Sequence, residues 1–552
     1  MILLNHLRSN GLHALVAWLA LMLAGCGMQS TEESTRAAFV ASQGQVVVRD
    51  ATPLSASHYA ASRFLEQASW GPSPDSVQKV MQLGMEKWID QQLLVPASTL
   101  NAPESVRSYD INADRAAAQY ANDWRSRRFY DLATGGADQL RQRMSWALYN
   151  YIPVNVIPYP TIEYFNTLQK NSLGSYKDLL RAVSLSPSMG TFLNNDQNTA
   201  SRPNENYARE LMQLFSVGLV LLNPDGSVQR DSKGAPLETY TQRDVVQATR
   251  ALSGWNTVHE PNLPNSNWMN AGKPMTPRSW PPDAHDSSAK TVLGRSIAQG
   301  QTPQQDLDSL LDILVNHPNT APFVSKRLIQ SMVSSNPSPQ YIERVGKVFR
   351  DSGGDLGKVA RAILLDPEAR EADQPARSTP RVGKIKEPIL HHTNLLRALG
   401  CKAAVMAPGH PNEAWHAWSQ RDYSAPNVFG YVSPTYKTPE TLVPAPEQKL
   451  LSISEIDRRL NSMDPWDATL ELAQNMRDAG CDIDSFLAAT QEGDERLLNL
   501  ISTRMFRGGL SPVLRQGALN IMKTHMTSDS PWRKFTRTTR LLLATPSYGV
   551  VR

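Results

Sequence analysis

The sequence predicts an all-α protein carrying one small β-hairpin, and three observations predict it. Apolar residues recur at helical spacing in segment after segment, bounded by capping residues and glycines. Alternating apolar runs that would read as strands are scarce. With 41% hydrophobic and 20% charged residues over 552 positions, the chain has the composition of a folded protein. Its length allows two to four domains by size alone. Lys+Arg 56 against Asp+Glu 52 leaves +4, too even a balance for a nucleic-acid binder held by phosphate attraction. Pro 38 exceeds Gly 31, which points to many short elements with hard stops.

Residues 1–25 read as a signal peptide, outside the fold. Met1 to His13 is polar with Arg8 as its firm positive charge, and Ala14 to Ala24 is almost wholly apolar. That run is far short of the ~20 residues a spanning helix needs. It ends in Leu23-Ala24-Gly25-Cys26, which resembles the lipobox of bacterial lipoproteins, where the cysteine is acylated and becomes the first mature residue. A lipid anchor of that kind exceeds the two-signal threshold for stable attachment. Gly27, not Asp, follows, which by analogy with lipoprotein sorting favours the outer membrane. Residues 26–57 are rich in Ser, Thr, Gln and Ala and read as a flexible tether spanning roughly 30 Å. With Cys26 lipidated, Cys401 and Cys481 remain; they either close a disulfide in an oxidising compartment or stay as two buried thiols.

The body, 58–552, is helical. Ser338-Pro339 opens one helix as N-cap and N1; Tyr341, Val345, Val348 and Phe349 form its apolar stripe, and Gly353-Gly354 ends it. Similar patterns cover about 74–92, 136–150, 173–185, 204–218, 241–254, 355–366, 383–399, 493–503 and 534–545. Leu219 to Leu222, an Asp225-Gly226 turn and Ser227 to Gln229 make the hairpin. Long loops fall at 257–284 and 371–382, and the second is where two helical lobes would divide.

Two helices carry most of the chemistry. In the run from Pro203 to Phe215, Tyr207, Leu211, Leu214 and Phe215 share one face at 100° per residue. Glu205 and Arg209 form an i,i+4 ion pair on the other side. Glu210 lies along the edge of the apolar face, so its carboxylate must be paired or have a raised pKa. Arg250, Lys384 and Arg143 are the candidate partners, and Glu210 is either a core salt bridge or a catalytic or ligand-binding group. In the second helix, Thr241-x-x-Asp244 has the form of a capping box, and Arg243, Gln247 and Arg250 share a polar face.

The most reaction-like segment is Asp283-Ala284-His285-Asp286 with Lys290 nearby. A histidine beside carboxylates can be a general base or a metal ligand. Alternatively, Asp286 caps a turn and His285 bonds a backbone carbonyl. Trp255, Trp268, Trp280, Trp415 and Trp418 either stack on sugar rings or pack loops onto the core. No GxSxG, P-loop, GxGxxG, HExxH or EF-hand pattern is present. Asn223-Pro224-Asp225-Gly226 lacks calcium-ligand spacing, His391-His392 and His410 with His416 lack zinc spacing, and no metal site or cofactor is assigned.

Further strings carry a resemblance. Asn204-Glu205-Asn206-Tyr207-Ala208-Arg209-Glu210-Leu211, Tyr240-Thr241-Gln242-x-Asp244-Val245 and Ala251-Leu252-Ser253-Gly254-Trp255 are similar to the large bacterial family called domain of unknown function 1800. Further matches are His285-Asp286, His317-Pro318-x-Thr320-Ala321, Gly383-Lys384-x-Lys386-Glu387-Pro388, Ala425-Pro426-Asn427-Val428-Phe429 and Ala544-Thr545-Pro546-Ser547-Tyr548. The resemblance runs over about 58–552. It departs at Lys386, where Arg is expected, and at His391, where a second Arg is common. It implies a secreted, helix-rich protein, often encoded beside a sulfatase-like partner, with no established reaction.

Two function classes follow. One is a surface-tethered protein acting on or binding an extracellular polymer such as a glycan, with Glu210, His285 and Asp286 as catalytic candidates. The other is a non-catalytic lipoprotein that scaffolds or binds the sulfatase-like partner. Arg209, Arg250, Lys290, Lys384 and Trp255 are the candidate binding residues.

Overall fold

The computed structural model describes residues 56–107, 114–156, 158–258, 272–374, 383–407, 409–414, 420–433, 435–438, 443–461 and 470–551. The expected signal peptide, Cys26, the expected tether up to residue 55, and the 375–382 part of the expected lobe boundary lie outside the described residues. The described chain is mainly helical. Its first part runs α1 Ala56–Ala68, α2 Pro74–Leu83, α3 Met85–Leu94, α4 Glu104–Arg107, α5 Arg115–Gly135, α6 Gln139–Tyr149 and α7 Pro158–Asn171. Then come α8 Tyr176–Ser184, α9 Pro187–Phe192, α10 Asn206–Gln213, α11 Gln242–Ala251, α12 Pro303–Val315, α13 Thr320–Met332, α14 Pro339–Asp351 and α15 Leu356–Leu365. After α16 Pro367–Arg370 and α17 Pro388–Ala398, the C-terminal part adds helices from Ile453–Asn461 to Pro546–Gly549.

Many of these helices begin on proline, among them those at Pro74, Pro303, Pro339, Pro388, Pro512 and Pro531. The first helical N–H has no intrahelical partner, so proline costs nothing there. The proline excess therefore marks helix starts, and the reading of prolines as stops is corrected. The single helix expected over 74–92 is also corrected: Gly84, at φ +80°, closes α2 and opens α3, a conformation in which a Cβ would be strained.

The expected hairpin is present as bridges, Leu222 opposite Val228, and the chain then returns a third time with Val220 opposite Glu238. Strand content exceeds one hairpin. Trp255–Asn256 pairs with Thr276–Pro277, Lys290–Val292 with Arg295–Ile297, Met406–Ala407 with His410–Ala414, and Lys384–Ile385 with Val550–Val551, all antiparallel. Strands of two or three residues are too short to show alternation, which is why the sequence hides them.

Buried apolar residues form one continuous cluster from Ala61 to Tyr548. An aromatic group at its centre joins Trp70, Phe129, Trp146, Tyr149 and Tyr423, with Tyr149 and Tyr423 centroids 4.5 Å apart. Cys401 and Cys481 are disulfide-bonded, with Cα atoms 3.8 Å apart. No described helix is long and apolar enough to cross a membrane.

Candidate functional site

The loop carrying His285 lies across the end of α11. Gly254, at φ +86°, permits this, because a Cβ there would sit 2.9 Å from the His285 backbone nitrogen. Arg250 grips Asp286 with two bonds, Nε to Oδ2 at 2.7 Å and Nη2 to Oδ1 at 3.2 Å. The Arg250 hydrogen bond, with others from the Ser288 hydroxyl and N–H, outweighs burial and holds the Asp286 carboxyl far below the usual range. His285 Nδ1 donates to the Ser253 carbonyl at 2.9 Å, and its Nε2 is 3.1 Å from Asp306 Oδ2. Lys290 reaches the same oxygen at 2.6 Å and also donates to the Ser288 carbonyl. Asp306, in the first turn of α12, is fully buried and is the hub of this cluster.

Asp244 completes the expected capping box with Thr241 and accepts a further bond from the Leu293 N–H at 2.8 Å. Glu205 and Arg209 pair at 2.9 Å, with Gln242 bridging them.

Glu210 is 9% exposed, as its helical phase requires. Its partner is the correction: none of the three cations considered meets it. Arg250 is held by Asp286, Lys384 by Glu387 at 3.1 Å, and Arg143 donates to the Ser331 carbonyl. Glu210 Oε2 is buried with no hydrogen-bond partner. Burial raises its pKa, only partly opposed by Arg209. Glu210 shares no hydrogen bond or ion pair with His285 or Asp286, so the three do not form one constellation. Trp255 is a second correction. It is 2% exposed, packed inward by its short strand pair, and offers no face for a sugar. Trp268, Trp415, Trp418 and His416 lie outside the described residues, and Trp280 is exposed.

A different site forms where α6, α13, the 384–387 turn and residues 420–432 and 446–450 meet. There the fold leaves a cavity of about 60 Å³, partly open to solvent, room for about four waters. Its wall includes Arg327, Ser331, Lys384, Glu387, Gln420 and Glu447. Glu387 is saturated. Its Oε2 accepts from Trp146 Nε1 at 3.0 Å, Gln420 Nε2 at 3.0 Å and Asn150 Nδ2 at 3.3 Å, while Oε1 faces Lys384. Burial opposes its charge, but Lys384, Arg143 and these donors prevail and bring it down to about 2. It cannot serve as a general acid at neutral pH.

The cations are less satisfied. The Ser331 carbonyl takes both Lys384 Nζ, at 2.7 Å, and Arg143 Nη2. Arg143 is fully buried and its Nε and Nη1 have no partner; burial pushes it down to about 10. Arg327 lies 5.0 Å from the Phe323 ring centroid and is likewise pushed down to about 10 by burial.

The Lys386 and His391 departures resolve as core features. Lys386 pairs with Glu66 at 3.0 Å and lies 4.1 Å from the Tyr548 ring centroid, while Arg507 meets the other Glu66 oxygen at 2.8 Å. His391 packs edge-on to Tyr548. Asp306 and Arg327 lie on helices, 303–315 and 320–332, that the helical patterns read from the sequence do not include, and Gln420 lies in an irregular segment. The Thr302-Pro303 start and its Gln305 capping partner were the available signal. Glu387 stood in a quoted motif without a role. Among the described residues no group of three or more His, Cys, Asp or Glu side chains could hold a metal ion.

A helix-rich chain with buried charge hubs and a small cavity lined by charges of both signs is the class these features define. Residues 63–550 match the family described as "Protein of unknown function (DUF1800)", and the chain belongs to that family. No curated protein and no solved structure matches it.

Proposed function

We propose that the chain is a lipid-anchored protein of the cell envelope, carried on the outer membrane by Cys26, that binds an extracellular polymer such as a glycan. One observation supports binding over hydrolysis. The acid–base groups nominated by the sequence are tied into structural contacts or, like Glu210, lie apart from the others, while the cavity beside Lys384 is lined by Arg327, which has no ion pair among the described residues. Glu210 interacts electrostatically with Arg209 and Tyr240 and shares no hydrogen bond or ion pair with His285 or Asp286.

The test has two arms. Replacing Cys26 with Ser should move the protein from the membrane to the soluble fraction, and retention after carbonate washing would refute the anchor. Purified mature protein should retain on immobilised polysaccharides without releasing reducing ends. Steady release of sugar would refute the binding reading in favour of catalysis. Capture of the sulfatase-like partner with no polysaccharide retained would refute it in favour of the scaffold.

A further inference from the structure

We propose that the cavity between α6, α13 and the 384–387 turn is an oxoanion subsite that takes a carboxylate or sulfate group of an acidic ligand. The charges lining it balance in number, Arg327 and Lys384 against Glu387 and Glu447, but they are not equally engaged. Both carboxylates are occupied: Glu387 by Lys384, Trp146, Asn150 and Gln420, and Glu447 Oε1 by the Ser335 hydroxyl and the Ile385 N–H.

Arg327 is what remains. It lines the cavity and has neither ion pair nor hydrogen bond among the described residues. The Phe323 ring engages one face of its guanidinium, but a ring face supplies no acceptor in the plane of the N–H groups. Arg327 is half-buried and its burial opposes the charge, so an anion that supplies the missing acceptor would stabilise it. Its planar fork fits the two oxygens of a carboxylate or sulfate. At about 60 Å³ the space admits a terminal group and not a sugar ring. The ligand would therefore insert its anionic substituent and leave its body outside.

This inference deepens the binding reading, and rests on it for the polymer alone. Full mature protein is titrated calorimetrically with sodium sulfate, phosphate and acetate at constant ionic strength, so that general screening cancels. Saturable binding of at least one anion is expected, weakened roughly 10-fold or more in Arg327→Gln, the loss of one charge-assisted bond. Arg327→Lys should fall between the two, because it keeps charge and loses the fork. Arg327 has no ion pair to lose, so thermal melting should show these variants folded; should Arg327→Gln fail to fold, Arg327→Lys carries the test.

No saturable anion binding, or equal affinity in wild type and folded variants, overturns the subsite. Retention on a sulfated polysaccharide and not a polyuronate assigns a sulfate ester, and the reverse a carboxylate. Equal retention on a neutral polysaccharide overturns the subsite and leaves the binding function standing. Anion binding without retention on any polymer overturns that function and leaves the subsite.

Discussion

Replacing Glu387 with Gln exchanges one carboxylate oxygen for an NH₂ group at a position surrounded by donors. Oε2 accepts from Trp146, Asn150 and Gln420, and Oε1 faces the Lys384 ammonium 3.1 Å away. An amide has one acceptor oxygen, so in either orientation an N–H meets a donor and Lys384 loses its counter-charge. The size of the loss follows from the titration. The carboxyl falls from 4.5 to about 2 on folding, and at ~1.36 kcal/mol per pH unit that is worth about 3 kcal/mol at neutral pH. The general cost of breaking a buried pair, ~3–5 kcal/mol, agrees. Because the folded value is the lower one, this stabilisation is complete above the unfolded value and drains away as the pH falls toward about 2. Urea unfolding of wild type and Glu387→Gln, followed by tryptophan fluorescence, should differ by about 3 kcal/mol at about pH 7 and by less than half that at about pH 3. A difference under about 1 kcal/mol at neutral pH, within the range of an ordinary surface change, would refute the reasoning. So would a difference that does not narrow in acid.

Three further outcomes are expected. Asp306→Asn should cost ~3–5 kcal/mol, since it leaves Lys290 buried without its counter-ion; an unfolding midpoint equal to wild type would contradict the hub. Cys481→Ala should cost about 4 kcal/mol, from a loop of 80 residues, and the intact protein should migrate faster on a non-reducing gel than after reduction. Glu210→Gln should leave stability within about 1 kcal/mol of wild type at neutral pH, with the sign toward a gain, because it removes an unpartnered buried charge. As burial raises the folded pKa of Glu210, that gain should shrink when the pH is lowered and the wild-type carboxyl takes up its proton; a loss comparable to Glu387→Gln would mean a partner exists.

Local signals carried the helices that were legible in the sequence. Ser338-Pro339 and Thr241-x-x-Asp244 each encode a cap in four residues, and both caps form. The phase of Glu210 was equally local, and its burial follows. What the phase cannot supply is a partner, because partners come from segments tens or hundreds of residues away. Lys384 meets Glu387 three residues on, yet Arg143 and the donors Trp146, Asn150 and Gln420, which complete its surroundings, come from distant segments. Asp306 answers His285 and Lys290 from the next helix. No period or spacing brings such groups together before the fold does. The same holds for Trp255, which the sequence leaves between sugar stacking and core packing and which a two-residue strand pair turns inward.

The recurrent strings gain a different meaning from this. In Lys384-x-Lys386-Glu387 every charge is consumed: Lys386 by Glu66 of α1, Lys384 and Glu387 by each other. Buried pairs of this kind add little net stability over apolar packing, but they penalise every arrangement that separates the partners. The turn that carries them also pairs with Val550–Val551 at the far end of the chain. Its charges therefore fix where the first helix, the turn and the C-terminus meet, and a motif so used accounts for fold and not for chemistry. Ligand recognition has to be sought among charges left over once that architecture is satisfied. At the cavity the charge left over is Arg327, a residue outside every string that marks the family resemblance.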